Sequence, residues 1–171
     1  MNEFMAKHLV RIVGLKDGTY KQVFEIKDEF FESYENSEVV SGIFYVITAV
    51  EIKGKDRKLT IKIDGTITNL LCDYCAQKIE LPISITSNYL IRISENKLES
   101  IDEIIFVQAN QHQININQLI FEMIILSIPS KRFHQENSEI SCDEQIFSFL
   151  DKYASKPKRI DPRWNALKKI K

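Results

Sequence analysis

Glycine, proline and cysteine are all scarce in this chain. Its 171 residues include five glycines, four prolines and three cysteines. So few glycines leave little material for a phosphate-binding loop, and the GxSxG, GxGxxG and P-loop motifs are all missing. Three cysteines do not build a disulfide framework, and no apolar run reaches the roughly 18 residues that a membrane-spanning helix needs. These absences argue against a nucleotide-binding enzyme, a disulfide-rich scaffold and a helical membrane protein.

The first residues, MNEFMAKHLVRIVGL, lack the basic segment and long apolar stretch of a secretory signal. In a chain without such a signal, paired cysteines more often bind metal or carry out redox chemistry than form structural bridges. We therefore expect a cytoplasmic protein with no membrane partner. None of the three histidines has an obvious Ser or Asp partner, so we expect neither an enzyme nor a small-molecule substrate.

Strand-like alternation of apolar and polar residues dominates the first two thirds of the chain. The alternation is clear in KLTIKIDGTITNL, where every second side chain is apolar over most of the segment, and clearer still in residues 79–93. Hairpin-sized turns between such segments favour an antiparallel sheet with one buried face, or a barrel-like closure. The predicted strands cover residues 8–13, 19–26, 42–52, 58–70, 79–93 and 103–108.

The pattern changes at ININQLIFEMIILSIP, which predicts one buried helix over about 117–127 with Asn117 as its N-cap. A second, amphipathic helix is predicted over 142–153. The sequence thus indicates an α+β protein in which a long-stranded sheet packs on one buried helix. We expect a single domain over 1–153, followed by a basic linker and short helix over 154–171.

Glu122 interrupts the apolar residues of the buried helix. A buried carboxylate must be paired or protonated. Either Glu122 lies at the helix edge and reaches water, or it forms a salt bridge with an arginine such as Arg132 or Arg163.

Cysteine residues occur as a CxxC pair, Cys72 and Cys75, between two predicted strands. Zinc prefers about four thiolate and imidazole ligands in a tetrahedron. His134 and Cys142 would complete a C-x2-C…H-x7-C set, in which structural zinc ties the hairpin to the helical part. The alternative interpretation is two reduced thiols at a turn. A redox pair fits less well, because it needs a cysteine at a helix N-terminus.

Basic residues are concentrated at the C-terminal end. Residues 152–171 hold eight basic residues and one acid, whereas residues 1–151 hold 15 basic and 23 acidic residues. A basic block beside an acidic body indicates a polyanion partner such as RNA, or a solvated end. Trp164 could stack on a base or dock on the body with its apolar neighbours. The candidate phosphate contacts are Lys156, Lys158, Arg159, Arg163, Lys168, Lys169 and Lys171.

Several segments together resemble one family, the large ribosomal RNA subunit accumulation proteins (YceD), in the branch typical of Bacteroidetes. The similarity runs through residues 13–31, 63–75 with its CxxC, 116–134 with its Glu, Leu-Pro-like end and His, and 161–171, DPRWNALKKIK. Cys142 falls where the family has a further cysteine. Tyr74 and Ala76 stand where the family commonly has Arg and Leu.

The resemblance implies a non-enzymatic factor that supports the synthesis, processing or stability of large-subunit ribosomal RNA. It also implies that the four cysteine and histidine residues form one cluster. The partner would be this RNA or a pre-ribosomal particle. The rival hypothesis is a protein–protein adaptor that makes no direct RNA contact. Its tail would dock on an acidic partner, or its exposed sheet edge would pair with a strand of a ribosomal protein. A third class, an enzyme, would need Glu122 or a metal ion with an open coordination position.

Overall fold

Alternation of apolar and polar side chains produces long strands that bury one face each. The computed structural model describes residues 8–35, 37–94, 99, 101, 103–134 and 152–153. Over these residues the chain forms, in order, β1 Leu9–Arg11, β2 Gly18–Ile26, α1 Asp28–Phe31, β3 Ser41–Lys53, β4 Asp56–Leu71, β5 Lys78–Ser94, β6 Ile104–Gln108, β7 Gln113–Asn115 and α2 Asn117–Leu126. All six predicted strands are present, and the predicted buried helix corresponds to α2.

The main sheet has five strands in the order β2-β3-β4-β5-β6. Strands β2 to β5 form successive antiparallel pairs, as expected, but β6 pairs with β5 in parallel, from Leu90↔Ile104 to Ser94↔Gln108. The prediction of a wholly antiparallel sheet is therefore wrong, and the sheet is mixed. The error has a physical cause: the side-chain pattern of a short apolar strand is the same in either direction, because it records burial and not chain direction.

Over the described residues the sheet is open, so of the two predicted alternatives, one buried face or a barrel-like closure, the closure is wrong. Within the described part of the chain, β2 and β6 form opposite edges and do not pair with each other. Closure would need two long edge strands, and β6 has only five residues, all paired with the last part of β5.

Strand β1 does not extend the main sheet, although the turn after it suggested a hairpin with β2. It pairs instead with β7 in a separate two-stranded sheet, with Val10 opposite Ile114. This pairing still buries the side chains of Val10 and Ile12, which are at most 1% exposed. The choice of partner is a tertiary effect, because β1 and β7 lie far apart in the sequence.

One face of the main sheet forms the core with α1, α2 and the small sheet. The apolar face of β4 that the alternation predicts is fully buried, and Phe30 and Phe31 of α1 are buried as well. From α2, the side chains of Ile120, Met123 and Ile124 join the same core. The buried residues of β4 in the predicted set are Leu59, Ile61, Ile63 and Ile67.

Helix α2 begins differently from the prediction. Ile116 is the N-cap and Asn117 is the first helical residue, so the assignment of Asn117 as N-cap is wrong. The Asn117 side chain instead accepts a hydrogen bond from the backbone N–H of His8 at 3.0 Å. The Asn115 side chain accepts one from the Asn117 N–H at 3.0 Å. Asparagine at this point therefore joins β1 to α2 and does not cap the helix.

Glu122 lies at the exposed edge of α2, where Gln118 donates a 2.7 Å hydrogen bond to its carboxylate. The water-facing alternative is confirmed. The salt bridge to Arg132 is wrong, because Arg132 pairs with other carboxylates, and Arg163 lies outside the described residues.

On the same helix, Phe121 stacks on Tyr34 with 3.8 Å between ring centroids. Burial, and to a smaller degree the Glu122 carboxylate, raises the pKa of Tyr34 to about 12.

Most of the predicted C-terminal helix over 142–153 and all of the tail over 154–171 lie outside the described residues. Of this part of the chain, Lys152 and Tyr153 are described and helical. The predicted division into a domain and a basic tail stays a prediction.

Candidate metal centre

The CxxC pair lies in the turn that connects the two longest strands. Cys72 follows the last residue of β4, and Cys75 lies three positions before the first residue of β5. The Cys72 N–H donates to the Gln77 carbonyl at 2.8 Å, and the Ala76 N–H donates to the Cys72 carbonyl at 2.9 Å. Ala76 adopts a left-handed conformation, with φ of 56°. Cys72 is buried at 3% exposure, whereas Cys75 is half-buried. The turn is thus held by its own backbone at the end of the hairpin.

His134 is brought to this turn from the segment that follows α2. Its Nε2 lies 3.1 Å from the Cys75 Sγ. The two sulfur atoms and a ring nitrogen of His134 all lie within 4.8 Å of one another. Tetrahedral zinc, with Zn–S of about 2.3 Å and Zn–N of about 2.0 Å, places its ligand atoms roughly 3.3–3.8 Å apart. The three side chains fit a zinc ion in donor type and, within a small adjustment, in spacing.

A clamp of hydrogen bonds attaches the His134 segment to the CxxC turn. The Asp73 N–H donates to the Arg132 carbonyl at 2.9 Å, and the Arg132 N–H donates to the Asp73 carboxylate at 2.7 Å. The Arg132 guanidinium also lies 3.5 Å from the Asp73 carboxylate and donates to Glu38. These contacts hold the segment that carries His134 beside the CxxC turn.

An aromatic pair lies between the clamp and the ligands. The rings of Tyr74 and Phe133 stack with 4.9 Å between centroids, and their residues are 38% and 42% exposed. The two segments therefore pair residue by residue. Asp73 contacts Arg132, Tyr74 stacks on Phe133, and Cys75 lies beside His134. The two triplets, DYC and RFH, each contain a charged residue, an aromatic residue and a ligand candidate.

The sequence pattern indicates the ligand candidates but not the residues that support them. It offers Arg132 only as a partner of Glu122, and it gives no role to Asp73, Glu38 or Phe133. The matching order of charge, aromatic ring and ligand in the two triplets is the sequence signal that could have indicated this pairing.

The remaining predicted site residues lie outside the described residues. Cys142, the fourth ligand candidate, is one of them. The predicted RNA-binding residues Lys156, Lys158, Arg159, Arg163, Trp164, Lys168, Lys169 and Lys171 are the others. Among the helices that the structure describes, none is long and apolar enough to cross a membrane.

The fold and the site together define a small α+β protein whose mixed sheet carries a cysteine–histidine cluster at the end of its longest hairpin. The chain belongs to the family described as large ribosomal RNA subunit accumulation protein YceD, whose family model matches residues 59–171. The match includes the CxxC turn, α2, His134 and the basic tail, while the similar segment at residues 13–31 lies outside it. No curated protein and no solved structure matches the chain.

Proposed function

We propose that this protein is a non-enzymatic, cytoplasmic accessory factor that supports the accumulation of large-subunit ribosomal RNA. It would act on the synthesis, processing or stability of that RNA by binding the RNA or a pre-ribosomal particle. The observation that carries the proposal is membership of the family named for this role. The charge distribution supports it, because a basic C-terminal end beside an acidic body suits a polyanion partner.

The metal centre would have a structural role. Cys72, Cys75 and His134 supply three ligand atoms, and Cys142 is proposed as the fourth from the sequence pattern. Zinc would join the β4–β5 turn to the segment beyond α2. With Cys142 as the fourth ligand, the zinc ion would have no open position for a reacting water molecule, so its role would be structural and not catalytic.

Zinc binding is tested by elemental analysis of the purified full chain. We expect stoichiometric zinc in the wild-type protein and its loss in Cys75→Ser and His134→Gln, because each change removes a ligand atom. His112→Gln is the matched control, since His112 is exposed and outside the cluster. Zinc retained in both ligand variants, or absent from the wild-type chain, would contradict the metal proposal.

RNA contact is proposed for the tail over 154–171, whose basic side chains would bind RNA phosphates. These side chains are Lys156, Lys158, Arg159, Arg163, Lys168, Lys169 and Lys171. Trp164 would either stack on a base or dock on the body. Each phosphate contact adds about 0.7 to the slope of log affinity against log salt for single-stranded RNA. Replacing Lys168, Lys169 and Lys171 by Gln should therefore reduce the slope by about 2.

The first test is crosslinking and sequencing of RNA from cells that express the full chain or this triple variant. We expect enrichment of large-subunit ribosomal RNA with the wild-type chain and a marked loss with the variant. The matched control replaces three exposed lysines of the body, Lys27, Lys53 and Lys62, by Gln. If neither form enriches RNA, direct RNA binding fails. A ribosomal protein that stays bound after RNase treatment would then favour the adaptor function.

A further inference from the structure

Strand β2 is an open edge of the main sheet. In the described part of the chain it pairs with β3 alone, over nine residues from Gly18↔Ile52 to Ile26↔Phe44. Its register is continuous, without a bulge or a proline, and its first six residues are all exposed. Edge strands usually carry such interruptions, because their unpaired N–H and C=O groups can pair with another strand. A long and regular edge is therefore a candidate interface.

The outward face of β2 carries an apolar side chain between two opposite charges. Val23 is 65% exposed at the middle of the strand. Lys21 and Glu25 lie two residues to either side, so all three side chains share one face. Val23 lies opposite Ile47 of β3, so these two residues form an apolar row that stops at the sheet edge.

We propose that β2 pairs antiparallel with β2 of a second copy of this chain, with the two-fold axis at Val23. Residues at equal distances before and after Val23 then face each other across the interface. Lys21 faces Glu25 of the partner subunit, and Glu25 faces the partner's Lys21. Val23 faces the partner's Val23, which extends the apolar row across four strands. Opposite charges and β-branched pairs at such positions stabilise antiparallel strands.

The charges select this register among the symmetric ones. Two residues that face each other in an antiparallel pair have their side chains on the same face of the sheet. Because side chains alternate between the faces, the two-fold axis must lie at a residue and not between two residues. An axis at Gln22 would place Lys21 opposite Val23, and an axis at Phe24 would place Lys21 opposite Lys27. An axis at Lys21 would place the two Lys21 side chains together. Of these four registers, the one centred on Val23 pairs opposite charges and apolar side chains.

The other face of β2 supports the same register. Tyr20, which is 37% exposed, would lie opposite the partner's Ile26, and Gln22 would lie opposite the partner's Phe24. Phe24 is half-buried in the single chain and packs against its core. The second copy would therefore cover apolar surface on both faces of the edge. This inference does not depend on the metal centre or on RNA binding.

Sedimentation of the full chain tests the proposal. We expect a dimer for the wild type and a dissociation constant weakened roughly tenfold or more for Lys21→Glu and for Glu25→Lys, because each change turns two attractive pairs into two repulsive ones. The double variant Lys21→Glu/Glu25→Lys should dimerise like the wild type, since it restores opposite charges. An equimolar mixture of the two single variants should form a heterodimer, detected by native mass spectrometry.

The matched control reverses Glu51 and Lys53, an exposed ion pair on the neighbouring strand β3, and should leave dimerisation unchanged. A wild-type chain that stays monomeric up to about 100 µM would overturn the proposal. Single variants that dimerise like the wild type, or a mixture that forms no heterodimer, would also overturn it. A monomer whose β2 amides resist hydrogen exchange would show that another segment of the same chain covers the edge.

Discussion

At the scale of single residues, the candidate metal centre depends on side chains that do not bind metal themselves. Asp73 and Arg132 join the two ligand-bearing segments through one hydrogen bond between backbone groups, one from the Arg132 N–H to the Asp73 carboxylate, and an ion pair. The Arg132 side chain is only 22% exposed, so its contacts with Asp73 and Glu38 are partly shielded from water. Such supporting contacts orient metal ligands, and their loss typically weakens metal affinity about 10–100-fold.

Arg132→Ala removes the ion pairs to Asp73 and Glu38 but keeps both hydrogen bonds of the Arg132 backbone. We therefore expect this variant to bind cobalt(II), used as a spectroscopic probe for zinc, about 10-fold more weakly than the wild type, the lower end of the range. The absorption spectrum of the bound cobalt should also change, because His134 would be held less firmly as a ligand. Arg132→Lys should recover only part of the affinity, since an ammonium group lacks the two-pronged geometry of guanidinium.

Arg92→Ala is the matched control for this measurement. It removes a similar ion pair, Arg92 to Asp56 at 3.0 Å, at a surface position outside the cluster. Its cobalt affinity and spectrum should equal those of the wild type. An Arg132→Ala variant with unchanged affinity and spectrum would show that the ion pairs of the Arg132 side chain do not help to position His134.

At the scale of secondary-structure elements, the close approach of β3 and β4 depends on glycine. Gly65 lies directly opposite Phe44, whose side chain is fully buried. A Cβ atom at Gly65 would lie 2.3 Å from the Ile43 carbonyl oxygen and 2.6 Å from the Phe44 ring. Gly42 is restricted in a similar way, with the Phe44 ring at 2.6 Å and the Thr66 carbonyl at 2.7 Å. The Phe44 ring occupies the space that side chains would fill at both positions.

Gly65→Ala should accordingly lower the free energy of unfolding by about 3 kcal/mol, the upper end of the usual cost of overpacking, because backbone atoms must move. Urea denaturation measures this change. Gly54→Asn is the control, since nothing lies within 4 Å of a Cβ there and asparagine tolerates its φ of 59°. Its effect should stay within about 0.5 kcal/mol. Equal stabilities of the two variants would contradict this account of Gly65.

At the scale of the whole molecule, the candidate metal centre and the open edge lie at different places in the main sheet. The centre lies at the turn between β4 and β5, two of the inner strands, whereas β2 is an outer strand. A second copy on β2 would therefore pair with a strand that does not carry the CxxC turn. Metal binding, RNA contact and self-association can be tested one at a time with the variants described above.

Much of this arrangement could be predicted from local sequence. Alternation in residues 58–70 identifies β4 and its buried face, because the apolar side chains of a strand lie on the face that packs against the core. The short spacing of Cys72 and Cys75 likewise places both thiols in one turn, whatever the rest of the chain does. Such features depend only on residues that are close in sequence, so a local pattern is enough to predict them.

Tertiary structure alone decided the features that join distant segments. The parallel direction of β6, the pairing of β1 with β7, and the choice of Asp73 and Glu38 as partners of Arg132 all depend on the path of the chain between them. His134 and Cys75 are 59 positions apart in the sequence, and β5, β6, β7 and α2 lie between them. A local pattern shows which side chains will be buried or will pair with another group, but many different partners would fit the same pattern. The packing of the whole chain selects one of them.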